Sequence, residues 1–431
     1  MAAILIISFA IGLIVGLPVA ITMGISGLTA VLIDGRFPPL IVPQYLFNGI
    51  SSFPLMAVPF FILAAEIMTA SGLTASLLRF ANDLVGHIRG GLGHVNVLVS
   101  MLFAGISGSA LADAAGPKVI KYAHFQPAKL DQPKQAAALA FKNYVESNTK
   151  GSVKVEIYPA SQLGNAITVL EGLRLGSIEM GVVHDGPISP VFKPFMVYAI
   201  PYLFDDQAMA WSVVDGPFGQ ELGEAMRKAT GIRMFALGDN GIRHFTNNKR
   251  VITSPEDMKG LKIRVMPGPI WSKLVSSLDA SPSPVPWPEL PAALQQGVVD
   301  GQENGVTNIL AASLYQNQKY ISLDGHVYSW HAYLMNDNFY NSLTPDEQKV
   351  VQRGVEIAKI IHRGMTSAQD TNAPTILSGV GMEVTPLSPE QVAAFRKKAQ
   401  PAVVAWVKEQ IGEEWVKKLF NAIETYRKAN Y

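Results

Sequence analysis

Apolar and polar positions change character once along the chain, near Pro117. Before that point, Met1 to Ile33 and Phe37 to Ala65 carry no charged residue, and Gly90 to Ala112 carries no formal charge. A helix needs about 20 consecutive apolar residues to cross a bilayer core, so the first run predicts at least one membrane helix. Gly12 and Gly16 lie four apart in it, a spacing that lets membrane helices approach closely, and Pro18 predicts a kink. The second run is interrupted by five prolines, and Leu55 to Met68 is its better helical part. Glu66, near the end of that run, reads as an interfacial residue ahead of a functional intramembrane carboxylate. Arg79 to Arg89 is amphipathic and predicts an interfacial or cytoplasmic segment. The expectation for residues 1–116 is an all-α transmembrane segment of two to four helices.

Beyond Pro117 the pattern alternates between periods of two and of three to four. Val119–Ala123 reads as a short strand. Val153–Tyr158 alternates apolar and polar as a half-exposed strand does, and Met180–Val183 reads as a third strand. Pro133–Glu146 and Ile167–Leu175 read as helices, the second stopped by Gly176. Leu343-Thr-Pro-Asp-Glu and Leu387-Ser-Pro-Glu-Gln are helix starts, each with a hydroxyl cap, proline in the first turn and a carboxylate behind it. Strand–helix alternation predicts α/β layers built on parallel strands.

Charge sharpens the division. All but three of the 35 Lys and Arg residues, and all but four of the 34 Asp and Glu residues, lie beyond Pro117. The net charge of +1 gives no global field for nucleic acid. The chain has no cysteine, which excludes disulfides, thiolate nucleophiles and cysteine-held metal centres. No GxSxG, HExxH, GxxxxGK[ST] or GxGxxG motif is present, and the eight histidines lack ligand spacing. Binding is therefore a simpler expectation than catalysis.

Five phrases carry a family resemblance. They are VEIYPASQLGN (155–165), LRLGSIEMGVV (173–183), IPYLFDD (200–206), GIRHFTNNKRVITSPEDMKGLKIRVMP (241–267) and ELPAALQQGVVDGQEN (289–304). In this order and spacing, residues 117–431 resemble the solute-binding proteins of TRAP (tripartite ATP-independent periplasmic) transporters. FPLMAVPFFILAAEIM and LVGHIRGGLGHVNVLVSMLFAGISGSALADAA in residues 1–116 resemble the N-terminal part of the large TRAP membrane subunit. The resemblance implies a two-domain periplasmic solute-binding fold with a hinge. One lobe would comprise about 118–241 and 330–369, the other about 242–329 and 370–431. It implies a small organic acid as ligand, the small and large TRAP membrane subunits and the membrane as partners, no cofactor and no enzymatic activity. The implied location is the bacterial inner membrane, with the binding domain in the periplasm. In the family, the glycine–serine segment belongs to a re-entrant hairpin, which would put Ser107 and Ser109 near a sodium site. The family's further membrane segments do not follow here, so transport by this chain alone is not expected.

The candidate ligand residues come from the same phrases. Arg264 lies in Leu261-Lys-Ile-Arg-Val, pointing opposite Ile263 and Val265. Pattern alone reads it as a solvated strand arginine; the resemblance makes it the carboxylate clamp, a role suited to two parallel guanidinium donors. Asn304 is either a second carboxylate contact or a loop cap. Trp287, stiffened between Pro286 and Pro288, matches a pocket aromatic, with core packing as the alternative. Arg243 matches a second arginine that either reaches the ligand or forms a hinge salt bridge. On the first-lobe side the candidates are His124 after the first strand, Gln162 and Asn165 in the SQLGN loop, and His184 with Asp185 after the third strand. Tyr328 and Trp330 either enclose the ligand or pack the hinge. Arg89, an apolar stretch and Ala110-Leu-Ala-Asp-Ala-Ala also have the order of a secretory signal, so cleavage near 112–115 is a competing expectation to a tether. A membrane-anchored sensory binder and a non-functional fusion product are the other readings.

Overall fold

The computed structural model describes residues 2–34, 70–85 and 117–430, with isolated positions 63, 66, 67 and 95. The chain forms two compact units that divide between Gly116 and Pro117.

In the first unit, Ala2–Asp34 forms a helical hairpin. Helices Ala2–Ile14 and Val19–Asp34 are joined by a turn in which Gly16 N–H bonds Leu13 O and Leu17 N–H bonds Gly12 O. This is the Schellman closure of a helix, and Gly16 supplies its left-handed residue at φ 83°. Gly16 is therefore a turn residue, and Pro18 ends the turn instead of kinking a helix. Gly12 does serve close approach, since a Cβ there would lie 2.5 Å from Thr22 Cγ2. Helices of 13 and 16 residues are about 20 and 24 Å long at about 1.5 Å per residue, short of the hydrocarbon core of about 30 Å. Among the described residues no helix is long and apolar enough to cross a membrane. A third helix, Leu73–Val85, carries Arg79 and Asp83. Glu66 is exposed. The rest of the second apolar run, the Gly90–Ala112 run apart from Val95, the 110–115 junction, Ser107 and Ser109 lie outside the described residues.

The second unit is built on one mixed sheet. Its strands are β1 (Lys118–Ala123), β2 (Val153–Tyr158), β3 (Met180–His184), β4 (Ile232–Asn247), β5 (Lys262–Val265), β6 (Ser281–Pro284), β7 (Gly301–Gly305), β8 (Tyr320–Asn336) and β9 (Glu383–Pro386). The order is β2-β1-β3-β8-β4-β7-β5-β6, with β9 paired to β8. The pairs β1–β2, β1–β3, β5–β6 and β5–β7 are parallel, whereas β4 and β8 run antiparallel along nearly their whole length. The first half of β4 meets the end of β8 that also bonds β3; the second half of β4 meets the beginning of β8 and bonds β7. Two half-sheets therefore share two continuous strands.

The register slips at Met234/Ala236, Asp239/Gly241 and Arg243/Phe245. Extra residues of this kind bend and twist a strand. Gly241 at the middle slip has φ 89°, and Asp370 Oδ2 accepts from Ile242 N–H at 3.0 Å. A Cβ on Gly241 would lie 2.9 Å from that oxygen. Asp370 belongs to the helix Pro345–Thr371, which starts with a capping box formed by Thr344 and Glu347. This helix packs against helix Pro133–Asn148, where a Cβ on Gly354 would lie 3.0 Å from Phe141 and Val145. The final helix, Glu414–Asn430, packs on helices Gln207–Asp215 and Pro217–Thr230, which belong to the first half-sheet.

Parallel strands aim their carboxyl ends at the space between the half-sheets, the usual place for a ligand in α/β sheets. The residues after β1, β3 and β5 all arrive there. Gly241→Ala forces a side chain into a left-handed backbone against a carboxylate. It is expected to lower unfolding free energy by about 1–3 kcal/mol, measurable from denaturant midpoints.

Candidate functional site

A cavity opens where the half-sheets face each other. It is narrow: about 20 Å³ of it admits the centre of a water molecule, within about 300 Å³ of space that includes its solvent mouth. Among the described residues, its wall carries three cations, Lys134, Arg243 and Arg264, and no carboxylate.

Arg264 is held in place by the backbone. It stands on β5, opposite the buried Ile263 and Val265, and is 1% exposed. Its Nε and Nη2 donate to the Val285 carbonyl at 2.8 and 2.6 Å, which fixes the guanidinium and leaves Nη1 for a ligand. Burial pushes its pKa down to about 9, with Glu303 opposing, so it remains a cation at neutral pH.

Arg243 on β4 is neutralised inside the protein. Its Nε and Nη2 donate to the two carboxylate oxygens of Glu303, and Nη1 donates to Asn304 Oδ1 at 3.0 Å. Glu303 is also 3.3 Å from His326 Nε2, and His326 Nδ1 meets Asp324 Oδ2 at 2.9 Å. Burial alone would push His326 down, but Asp324 and Glu303 outweigh it and raise its pKa to about 9. The chain Arg243–Glu303–His326–Asp324 alternates cation and anion, which is what lets four charges stay buried. Arg243 thus lines the cavity and forms a buried ion pair.

Asn304 at the end of β7 has its amide orientation set by neighbours. Its Oδ1 accepts from Arg243 and from Asn308 Nδ2 at 2.8 Å, and its Nδ2 donates to Gln302 Oε1 at 3.1 Å. Trp287 contributes from the turn Trp287–Glu289. His184, the last residue of β3, lines the opposite wall and packs edge-on against Phe125 at 5.5 Å. Burial, then Lys134, Arg264 and Arg243, push its pKa well below the ordinary value.

The remaining expected residues stand elsewhere. His124 is wholly buried behind the wall, 2.8 Å from Gln135 Oε1. Asn165 caps helix Ala166–Leu175, accepting from Ile167 and Thr168 N–H, and Gln162 is exposed. Neither lines the cavity. Asp185 lies buried beside it, accepting from Ser329 Oγ and Trp330 N–H. Tyr328 donates to Asp239 Oδ2 at 2.7 Å and packs on Trp330 at 4.9 Å, and neither aromatic is among the residues lining the cavity. In exchange, the cavity gains Lys134 from helix Pro133–Asn148, His331 from β8, Asn240 and Asn308. Lys134 had one sequence signal, a cation directly after a helix-initiating proline, where the helix dipole disfavours positive charge. Among the described residues, no group of three or more His, Asp or Glu could hold a metal ion.

Residues 123–410 match the family described as bacterial extracellular solute-binding protein, family 7. The chain belongs to this family. Residues 6–138 match the DctM component of tripartite ATP-independent periplasmic transporters, so a stretch similar to the large TRAP membrane component is joined to a TRAP-type solute-binding protein. The second match runs beyond Pro117 into β1 and the first turns of the next helix. A solute-binding protein of Verminephrobacter eiseniae is 35% identical over 245 residues, covering 57% of this chain and 72% of that one. A C4-dicarboxylate-binding periplasmic protein of Rhodobacter capsulatus is 30% identical over 306 residues, covering 70% and 90%. The crystal structure of a TRAP periplasmic solute-binding protein from a Polaromonas species, bound to D-erythronate, superposes with a TM-score of 0.66 at 31% identity, covering 70% of this chain and 98% of that one.

The buried charge chain has a pH signature. A histidine raised from 6.5 to about 9 contributes stability in full below about pH 6.5 and loses it as pH rises through 9. Melting temperatures of the protein and of His326→Gln should therefore differ most near pH 6 and converge towards pH 10; a constant difference contradicts the assignment.

Proposed function

We propose that residues 117–431 capture a small organic acid in the periplasm for a sodium-driven TRAP transporter, by binding and without chemical turnover. The observation that carries this reading is Arg264, a buried guanidinium anchored on Val285 O, facing a cavity that offers it no carboxylate. An acid supplies the missing charge: its carboxylate takes the Nη1 edge of Arg264, and Asn304 donates its free amide N–H to the second oxygen. Trp287 covers the apolar face of the ligand, and His184 meets it from the first lobe. Arg243, neutralised by Glu303, orients Asn304. Relatives that take a C4-dicarboxylate and D-erythronate support a small carboxylate as the ligand class.

In this reading the lobes are 118–241 with 330–369, and 242–329 with the segment from 370. The last helix lies against the first lobe's helices, which ties the C-terminus to both. The cavity is too narrow to admit an acid as it stands, so entry requires the lobes to part about the slips in β4 and the facing part of β8. The loaded protein docks on separate, complete small and large membrane subunits. Residues 1–116 tether it to the inner membrane.

Arg264→Ala removes a charge-assisted bond of about 1.5–3 kcal/mol and should weaken carboxylate binding at least about tenfold. Calorimetric titration with succinate and D-erythronate measures this, and unchanged affinity sinks the assignment. Intact mass of the protein recovered from membranes should correspond to the uncleaved chain; a mature form beginning near 113–116 replaces the tether with release.

A further inference from the structure

Lys134 is a cation in an unusual place. It occupies the first turn of helix Pro133–Asn148, at the positive end of the dipole, and is 3% exposed. Its backbone N–H is satisfied by Gln126 Oε1 at 2.9 Å. The side-chain Nζ has one hydrogen-bond partner, His331 Nε2, at 2.8 Å. That contact has a fixed direction. His331 Nδ1 lies 3.3 Å from the Asp239 carbonyl, which can only accept, so Nδ1 carries the proton and Nε2 is left to accept from Lys134. An ammonium has three N–H donors, and His331 takes one.

Among the described residues, no carboxylate lies within ion-pairing distance of Nζ. The titratable groups around it are His124 after β1, His184 of β3, His331 of β8 and His362 of the helix Pro345–Thr371, and Lys134 disfavours the charged form of each. Arg243 and Arg264 share the cavity from β4 and β5. An ammonium among neutral imidazoles and guanidinium groups lacks a counter-charge from the protein. Taking such a group out of water is costly unless an anion meets it. Arg264 and Lys134 therefore make two such demands on one cavity, one from each lobe.

We propose that Lys134 is a specificity-determining residue that receives a second anionic group of the ligand, at the end opposite the carboxylate held by Arg264, and so favours acids with two charged ends. This rests on the acid-binding reading of the same cavity. A ligand bonded to both cations joins β5 of one lobe to the first helix of the other, which makes the second charge a condition for tight closure.

The test is calorimetric titration of the full chain in detergent with matched pairs, succinate against butyrate and glucarate against gluconate. The diacid of each pair should bind at least about tenfold tighter at pH 7. Lys134→Met should erase that margin by weakening the diacid while leaving the monoacid within about threefold, whereas Lys134→Arg retains it. Burial lowers the Lys134 pKa to about 7, so at pH 8 the diacid should draw a proton onto the protein, seen as a heat that varies with buffer, and the monoacid should not. This arm uses the unaltered protein and stands if Lys134→Met does not fold. Equal affinities within a pair, or equal weakening of both members by Lys134→Met, overturns the assignment to Lys134 while acid binding stands. Failure of every acid to bind overturns the acid-binding reading itself.

Discussion

The binding unit depends on one pairing, the antiparallel contact of β4 and β8. These strands are long enough to enter both half-sheets, so the halves are joined by continuous hydrogen-bonded backbone and not by a loose linker. A regular ladder of that length would be stiff. Three register slips interrupt it, and the middle one coincides with a left-handed glycine and a buried carboxylate that accepts from the next backbone N–H. Burial raises Asp370 to about 7, and Asp239 nearby to about 6. Tyr328, Trp211 and Gln207 donate to Asp239, so buried polar groups are bonded together where the strand bends.

Charge around the cavity follows from the same geometry. Strands β4 and β5 bring Arg243 and Arg264 to the cavity, helix Pro133–Asn148 brings Lys134, and the protein treats the three differently. Arg243 is paired with Glu303 and integrated into a charge chain that ends on Asp324. Arg264 is fixed by a carbonyl, which accepts its protons without cancelling its charge. Lys134 is held by an imidazole with the same consequence. Two desolvated cations without a hydrogen-bonded carboxylate cost folding free energy, and in the proposed reading an anionic ligand offsets this.

The first unit poses a different physical problem. An uncharged run as long as Met1–Ile33 would suit a single spanning helix. Gly16 and Pro18 divide it into two short helices that turn back on each other, with Gly12 against Thr22. A periodic or hydropathic average does not register one left-handed residue followed by a proline, although the residues themselves were visible.

Local chemistry determined most of the fold. Period-two alternation located β2, short strand-like runs located β1 and β3, and the Thr344 and Ser388 caps set the starts of the long helices. These features depend on neighbours a few residues away, so the linear order contains them. The phrases around Arg264, Arg243, Trp287 and Asn304 pointed to these residues through the family resemblance, whereas pattern alone read Arg264 as a solvated strand arginine, and all four line the cavity. What faces a cavity is decided by residues far apart in the chain. His124 follows β1 as expected, yet the helix beginning at Pro133 covers it and presents Lys134 instead. Asn165 is consumed by the helix it caps, and Tyr328 by Asp239 across the β4–β8 ladder. His331 becomes a wall residue only through its register opposite His184. The sequence by itself therefore determined several of the elements and the phrases that carry the family resemblance. Tertiary structure alone decided which cations stand without a bonded carboxylate, since Arg243 meets Glu303 across 60 residues and Lys134 meets His331 across 197, contacts that no local pattern encodes.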